Sequence, residues 1–354
     1  VTDTLVGRTD EIEPSAGPAP SPAVAPGPIV TRRRLEIALG CLWLLDGLLQ
    51  FQPYMFTRSF FQDILGMANM GLPGLVGDWD YRAANILGSH FVLWNAAFAT
   101  LQVLLGIGLL RRSSARAALA ISIPWSLAVW VLGEGFGAMF MPGTGLLTGA
   151  PGAALLYALL ALLLWPRHDD VGGSVADHGL LGPRVARISW AAVWIGSALL
   201  ELEAVNHAPS VPAAQLTNTG QGEPSFIASI NHWFGSVVGG QGLLFAIAVG
   251  TTGLLVGAGI FVPKTRRLAV GLGLVAAVYF GTAGQDLGGI LTGHGTDPGT
   301  GPPLVLLALA LWPRRSAPAS GAPGTVAGAA ATPRAARADP DRHEREPGHA
   351  HAGL

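Results

Sequence analysis

Apolar residues along this chain fall in long blocks separated by arginine-bearing or polar stretches. Eight blocks stand out, at 35–53, 84–110, 117–135, 148–165, 188–204, 234–261, 268–285 and 302–312. Crossing about 30 Å of hydrocarbon takes roughly 20 residues of helix, so most of these blocks predict membrane-spanning helices. The last is short, with under a dozen apolar residues before Trp312-Pro313. It needs help from 287–301 or a re-entrant arrangement. The stretches 54–83, 205–233 and 286–301 are too long for simple turns. Their neighbouring aromatics (Phe51, Tyr54, Phe56, Phe60, Phe61, Trp79, Trp233) predict helices lying at the membrane surface.

The pattern repeats. Trp43-Leu44 aligns with Trp194-Ile195 at an offset of 151 residues, and Leu48-Leu49-Gln50 aligns with Leu199-Leu200-Glu201. At the same offset Gly106 and Gly108 meet Gly257 and Gly259, Gly133-Glu134 meets Gly284-Gln285, Gly137 meets Gly288, and Pro151 meets Pro302. The fold class this predicts is all-α: a polytopic membrane protein of about eight transmembrane helices, built as two parallel-oriented four-helix repeats. The units would be 33–166 and 187–315, joined by a linker at 167–186. They would be flanked by Pro/Ala-rich tails at 1–32 and 316–354 that read as disordered and cytoplasmic. The first tail lacks the apolar core of a signal peptide.

Composition agrees. Half the residues are apolar and only 12% are charged, about half the charged fraction of a soluble chain. Net charge is −1, which gives no footprint for nucleic acid. One cysteine, Cys41, excludes an intrachain disulfide. Basic residues are almost all arginine, which suggests a high-GC bacterial genome, and their placement predicts orientation. Arg32–Arg34, Arg111, Arg112, Arg116, Arg167, Arg184, Arg187, Lys264, Arg266, Arg267, Arg314 and Arg315 all fall in alternate connections, leaving only Arg58 and Arg82 in the others. The positive-inside rule then puts both termini in the cytoplasm of a bacterial plasma membrane. Two even-numbered units entering with the same orientation predict a pseudo-twofold axis along the membrane normal.

Polar residues within the spans are the candidate intramembrane site: Asp46, Gln50, His90, Asn95, Gln102, Glu134, Glu201, Gln241 and Gln285. At about 1.5 Å per residue, Asp46 falls about 18 Å beyond Arg34 and Glu201 about 21 Å beyond Arg187. A charged carboxylate at mid-membrane costs roughly 2.5–3.5 kcal/mol. Such groups are expected to be protonated, hydrogen-bonded or lining a wet cavity, either for proton-coupled chemistry or for packing between helices. Polarity is weakened at Asp46/Ser197 and lost at Asn95/Ala246 and Gln102/Gly253, so the diverged positions point to the first unit. The glycine pairs Gly133/Gly137 and Gly284/Gly288 have the GxxxG spacing of close helix packing. His207, His232 and His294 with Asp286 are the candidates for an outward transition-metal site, without metal-ligand spacing to support them. No phosphate loop, nucleophile elbow, CxxC or HExxH pattern occurs.

The first helix reads Leu35-Glu36-Ile37-Ala38-Leu39-Gly40 with Trp43 and Gly47 after an Arg. The second reads Gln102-Val103-Leu104-Leu105-Gly106-Ile107-Gly108-Leu109-Leu110 before Arg111. This four-span unit resembles the DoxX-like membrane family. The second unit departs from it, with Gly253 in place of Gln102 and Val262-Pro263 in place of Arg111-Arg112. The resemblance implies an auxiliary subunit of a membrane redox system, not catalytic on its own. Such a subunit would offer an outer cavity to a quinone, a small thiol or an oxidoreductase partner protein. A proton- or ion-coupled small-molecule transporter with its site between the repeats is the alternative, and an outward-facing metal-handling protein is a third.

Overall fold

The computed structural model describes residues 29–69, 72, 74–167 and 173–313, and among them every regular element is helical. Most of both expected tails, the middle of the 167–186 linker, and Arg314 and Arg315 lie outside the described residues.

Helix α1 (Arg32–Leu49) leads through a 3-10 turn at Pro53–Phe56 to α2 (Arg58–Asn69) and α3 (Gly74–Ser89). Then come α4 (Phe91–Leu110), α5 (Ala115–Leu132), an irregular stretch, and α6 (Ala153–Leu164). The second half runs α7 (Gly182–Glu201), a 3-10 turn at Ala204–His207, α8 (Val211–Thr219), α9 (Ser225–Val238), α10 (Gly242–Gly259) and α11 (Arg266–Tyr279). A π-helical turn at Phe280–Gly284 extends α11 before the single turn α12 (Asp286–Gly289) and the last helix, α13 (Gly301–Leu311). Many bounds recur at the offset seen in the sequence. The two 3-10 turns stand 151 residues apart at both ends, as do the starts of α3 and α9, of α4 and α10, and of α5 and α11.

Among the described residues, four helices are long and apolar enough to cross a membrane: α4, α5, α10, and α11 with its π-helical extension to Gly284. Helices α1 and α7 match them in length, at 18 and 20 residues, but carry charged ends. The expected spans 148–165 and 302–312 are different. Each is an irregular segment feeding a short helix, α6 of 12 residues and α13 of 11. At about 1.5 Å per residue these cover only about 18 and 16 Å. Both are apolar and buried around most of their circumference, because they meet each other at the centre of the molecule. The expected spans 84–110 and 234–261 are also shorter than read. Breaks at His90 and at 239–241 separate α3 from α4 and α9 from α10, and the long connections are largely helical.

Helix α1 packs closely on α4, and α7 on α10. Glycine makes this possible at Gly106, where an added Cβ would lie 2.8 Å from the Gly40 carbonyl, and at Gly257, where it would lie 2.6 Å from the Ile195 side chain. The arginines mark one end. Arg32 donates to the Leu163, Leu164 and Val175 carbonyls at 3.4, 2.7 and 3.4 Å, around the end of α6. Arg33 donates to the Leu109 and Leu110 carbonyls at 2.8 and 2.5 Å, at the end of α4, and pairs with Glu36 at 3.1 Å. Cations there satisfy orphan carbonyls and offset the helix dipoles. Helix α1 therefore starts where α4 and α6 finish, and the polar site gathers at the other end.

Candidate functional site

The two irregular segments begin with an unusual turn. Gly135, Phe136, Gly137 and Ala138 have φ of 52, 60, 64 and 56°, and Asp286, Leu287, Gly288 and Gly289 have φ of 45, 52, 71 and 65°. Consecutive left-handed residues are rare, because each L side chain meets the following carbonyl at roughly 1–2 kcal/mol. This corrects the helix-packing expectation for the GxxxG pairs. Gly137 lies beyond α5 and Gly288 in the left-handed backbone of α12, where a Cβ would collide with the Pro151 backbone and the Asp297 backbone respectively. Glycine is required because the chain folds back on itself.

After that turn each segment crosses to the other half. Between 143 and 150 the chain lies on the second half: the Gly143 carbonyl accepts from Gln215 Nε2 at 2.8 Å, and the Ala150 carbonyl accepts from Ser197 Oγ at 3.0 Å. Leu147 N–H donates to the Glu201 carboxylate at 3.4 Å. Reciprocally, the Gly295 carbonyl accepts from Gln52 Nε2 at 3.4 Å, and His294 stacks on Tyr54 with ring centroids 4.1 Å apart. Each segment then returns to start α6 or α13. Glu134 Oε1 accepts from Ala154 N–H at 2.9 Å, at the first turn of α6. Gln285 Oε1 accepts from Thr300 N–H and Oγ1 at 2.8 and 3.0 Å, at the start of α13. The shared polarity at Glu134/Gln285 thus serves helix starts that would otherwise leave buried N–H groups unpaired.

The crossing produces a cavity of about 170 Å³ in the first half. Asp46 from the last turn of α1, Asn95 and Gln102 from α4, Glu134, Tyr157 from α6, and Asp297 from the crossed segment supply its polar wall. Trp43, Phe60, Phe61, Phe98 and Trp125 supply its aromatic wall. Asp46 is 3% exposed and Tyr157 2%. The Tyr157 hydroxyl stands beside Asp46, and Asp297 lies within electrostatic reach of both Asp46 and Glu134. Trp43 and Tyr157 pack edge to face at 4.7 Å. Asn95 is committed, donating to the Gln50 carbonyl at 2.9 Å. Among the described residues, Asp46 Oδ1, Gln102 Oε1, Glu134 Oε2, Trp43 Nε1 and Trp125 Nε1 are buried without a hydrogen bond. Each such group costs about 1–3 kcal/mol if nothing meets it, and unpartnered buried atoms also occur away from the cavity, as at Trp194 Nε1 and Asn206 Oδ1. A second recess of about 540 Å³ adjoins the cavity, shares Glu134, Ala153 and Asp297 with it, and lies between the two left-handed turns.

The same place in the second half is filled. Leu146, 2% exposed, stands at the position equivalent to Asp297 and presses on Gly253, the equivalent of Gln102. Ser197, Ala246 and Ala308 replace Asp46, Asn95 and Tyr157.

Of the residues singled out from sequence, Asp46, Gln50, Asn95, Gln102 and Glu134 come together here. Glu201 and Gln285 hold the crossed segments. His90 and Gln241 do not run down spans as expected; they are exposed at the helix breaks, with His90 Nδ1 2.9 Å from Ser89 Oγ. The histidine set does not assemble. Among the described residues no group of three or more His, Cys, Asp or Glu is placed to hold a metal ion. His232 and His294 are exposed, while Asp286 is engaged by Asn231 Nδ2. Burial raises the pKa of Asp286 and of Glu223, the latter also through the Asp286 charge, and a 2.7 Å bond to Asp63 raises that of Tyr54. The side chains of Trp79 and Asp80 lie outside the described residues. Asp297, Tyr157 and the tryptophans are site residues that the sequence did not single out. The one signal for Asp297 was its alignment with Leu146, a carboxylate against an apolar residue.

No family model, characterised protein or solved structure matches the chain.

Proposed function

We propose that this chain is a multi-pass plasma-membrane protein of eight passes, built from two four-helix repeats, that binds a small molecule in the cavity of its first repeat. The recurring element bounds and the paired left-handed turns support the repeat. Irregular backbone buried within protein can complete a membrane pass that a short helix begins, which accommodates α6 and α13. With the arginines cytoplasmic, the cavity and its adjoining recess face outward. The observation that carries the binding role is the asymmetry between repeats: buried polar atoms without partners line a cavity in one, and a leucine fills the equivalent place in the other.

This favours a binding or transport protein over a purely scaffolding subunit. The DoxX-like resemblance supports the other reading, in which the same outer face serves an oxidoreductase partner. The deciding experiment purifies the wild type and Asp297→Leu from native membranes in mild detergent, then identifies bound small molecules and proteins by mass spectrometry. The binding role predicts a small molecule that co-purifies with wild type and is lost from a folded Asp297→Leu protein. Recovery of a stoichiometric oxidoreductase with both proteins, and of no small molecule with either, would replace it with the subunit role.

A further inference from the structure

The cavity's walls restrict what can occupy it. Among the described residues its lining carries three carboxyl groups, Asp46, Glu134 and Asp297, and no lysine, arginine or histidine. The basic residues of the spans gather at the opposite end, around Arg32 and Arg33. A volume of about 170 Å³ falls below the roughly 300–1,000 Å³ of pockets for drug-sized ligands, so the occupant is small. The same lining holds the rings of Trp43, Phe98 and Trp125, with Phe98 and Trp125 centroids 5.0 Å apart.

Carboxylates and aromatic rings together form a site for a cation with an apolar body. The carboxylates neutralise the charge, and the ring faces attract it. An anion would find three carboxyl groups and, among the described residues, no cationic side chain to pair with. A neutral quinone could accept from the Trp43 and Trp125 indole N–H groups, but it has nothing to donate to Asp46 Oδ1 or Glu134 Oε2. A protonated amine donates to both. From this we infer that the first-repeat cavity binds a small organic cation, a primary or secondary ammonium carrying an apolar or aromatic group. Asp46 and Asp297 hold the ammonium, and Trp43 and Trp125 flank the body. The inference rests on the cavity being a binding site at all.

Benzylammonium is a suitable probe, with benzyl alcohol, benzoate and sodium chloride as its neutral, anionic and inorganic-cation controls. Each is titrated calorimetrically into the purified full chain in detergent. Saturable binding of benzylammonium alone is expected, weakened at least tenfold by Asp46→Asn and by Asp297→Asn. Both changes are near-isosteric, and gel filtration checks that each variant is folded. Equal or tighter binding of benzyl alcohol or benzoate, abolished by Asp297→Leu, would leave the site standing and overturn the cation. A matching response to sodium chloride alone would overturn it in favour of an inorganic ion. Binding of none of the four would overturn both the ligand class and the site.

Discussion

The two halves share a backbone plan and differ at its centre. In the first, the crossed segment delivers Asp297 beside Asp46, Glu134 and Tyr157, and a cavity remains. In the second, the crossed segment delivers Leu146 against Gly253, at the place equivalent to Gln102. The shared positions carry the fold: the left-handed turns, the helix-starting Glu134 and Gln285, and the glycines between paired helices. The diverged positions line the cavity. Both halves bury polar atoms without partners, Trp43 Nε1 and its counterpart Trp194 Nε1 among them, so the difference lies in the carboxyl groups that line the first-half cavity.

The comparison breaks most easily at the turns. Gly137→Ala and Gly288→Ala each place a Cβ into backbone at positive φ. Both should abolish folded protein in detergent gel filtration, and to the same degree if the turns do the same work. Next come the exchanged residues. Leu146→Asp removes a buried leucine and buries a carboxylate, which should destabilise by more than about 3 kcal/mol in thermal unfolding. Asp297→Leu removes the acceptor of Gly299 N–H at 2.8 Å and should cost only about 1 kcal/mol while binding is lost. Similar unfolding by both would mean that Asp297 is structural. Smaller still is the helix start: Glu134→Ala should cost about 1 kcal/mol, as loss of a cap does. Glu134→Gln, which copies the second half, should cost little because its amide oxygen still accepts from Ala154 N–H.

The smallest effect concerns Asp286, at the second left-handed turn. Burial disfavours its charged form, so folding carries a penalty that develops as pH rises above the ordinary carboxylate value of about 3.9. Asp286→Asn keeps an acceptor for Asn231 and suits positive φ. It should raise stability at neutral pH by a few tenths of a kcal/mol, the scale of a solvent-screened charge. That gain should vanish below about pH 4. A gain of equal size at both pH values would show that the left-handed backbone, and not the charge, is responsible.

Four long apolar helices among the described residues were legible, because an apolar block of about 20 residues has one solution in a bilayer, where every backbone group must be paired within the protein. Their ends were less so. His90 and Gln241 look intramembrane on a linear count, yet they stand where the chain leaves one helix and starts another. Gly133/Gly137 looked like a helix face, because spacing alone does not reveal a reversal of φ. Five of the nine polar candidates reached the cavity, since residues one or two turns apart on α1 and α4 share a face whatever lies opposite.

Helix content, the 151-residue recurrence and the gathering of arginines into alternate connections were set by the sequence itself, through local apolar patterning and helix geometry. Which half each irregular segment would enter was decided only by tertiary structure. Asp297 is 251 residues from Asp46 along the chain. No periodicity links them, and only the packing of α6 against α13 carries each segment across and brings the two carboxylates to one cavity.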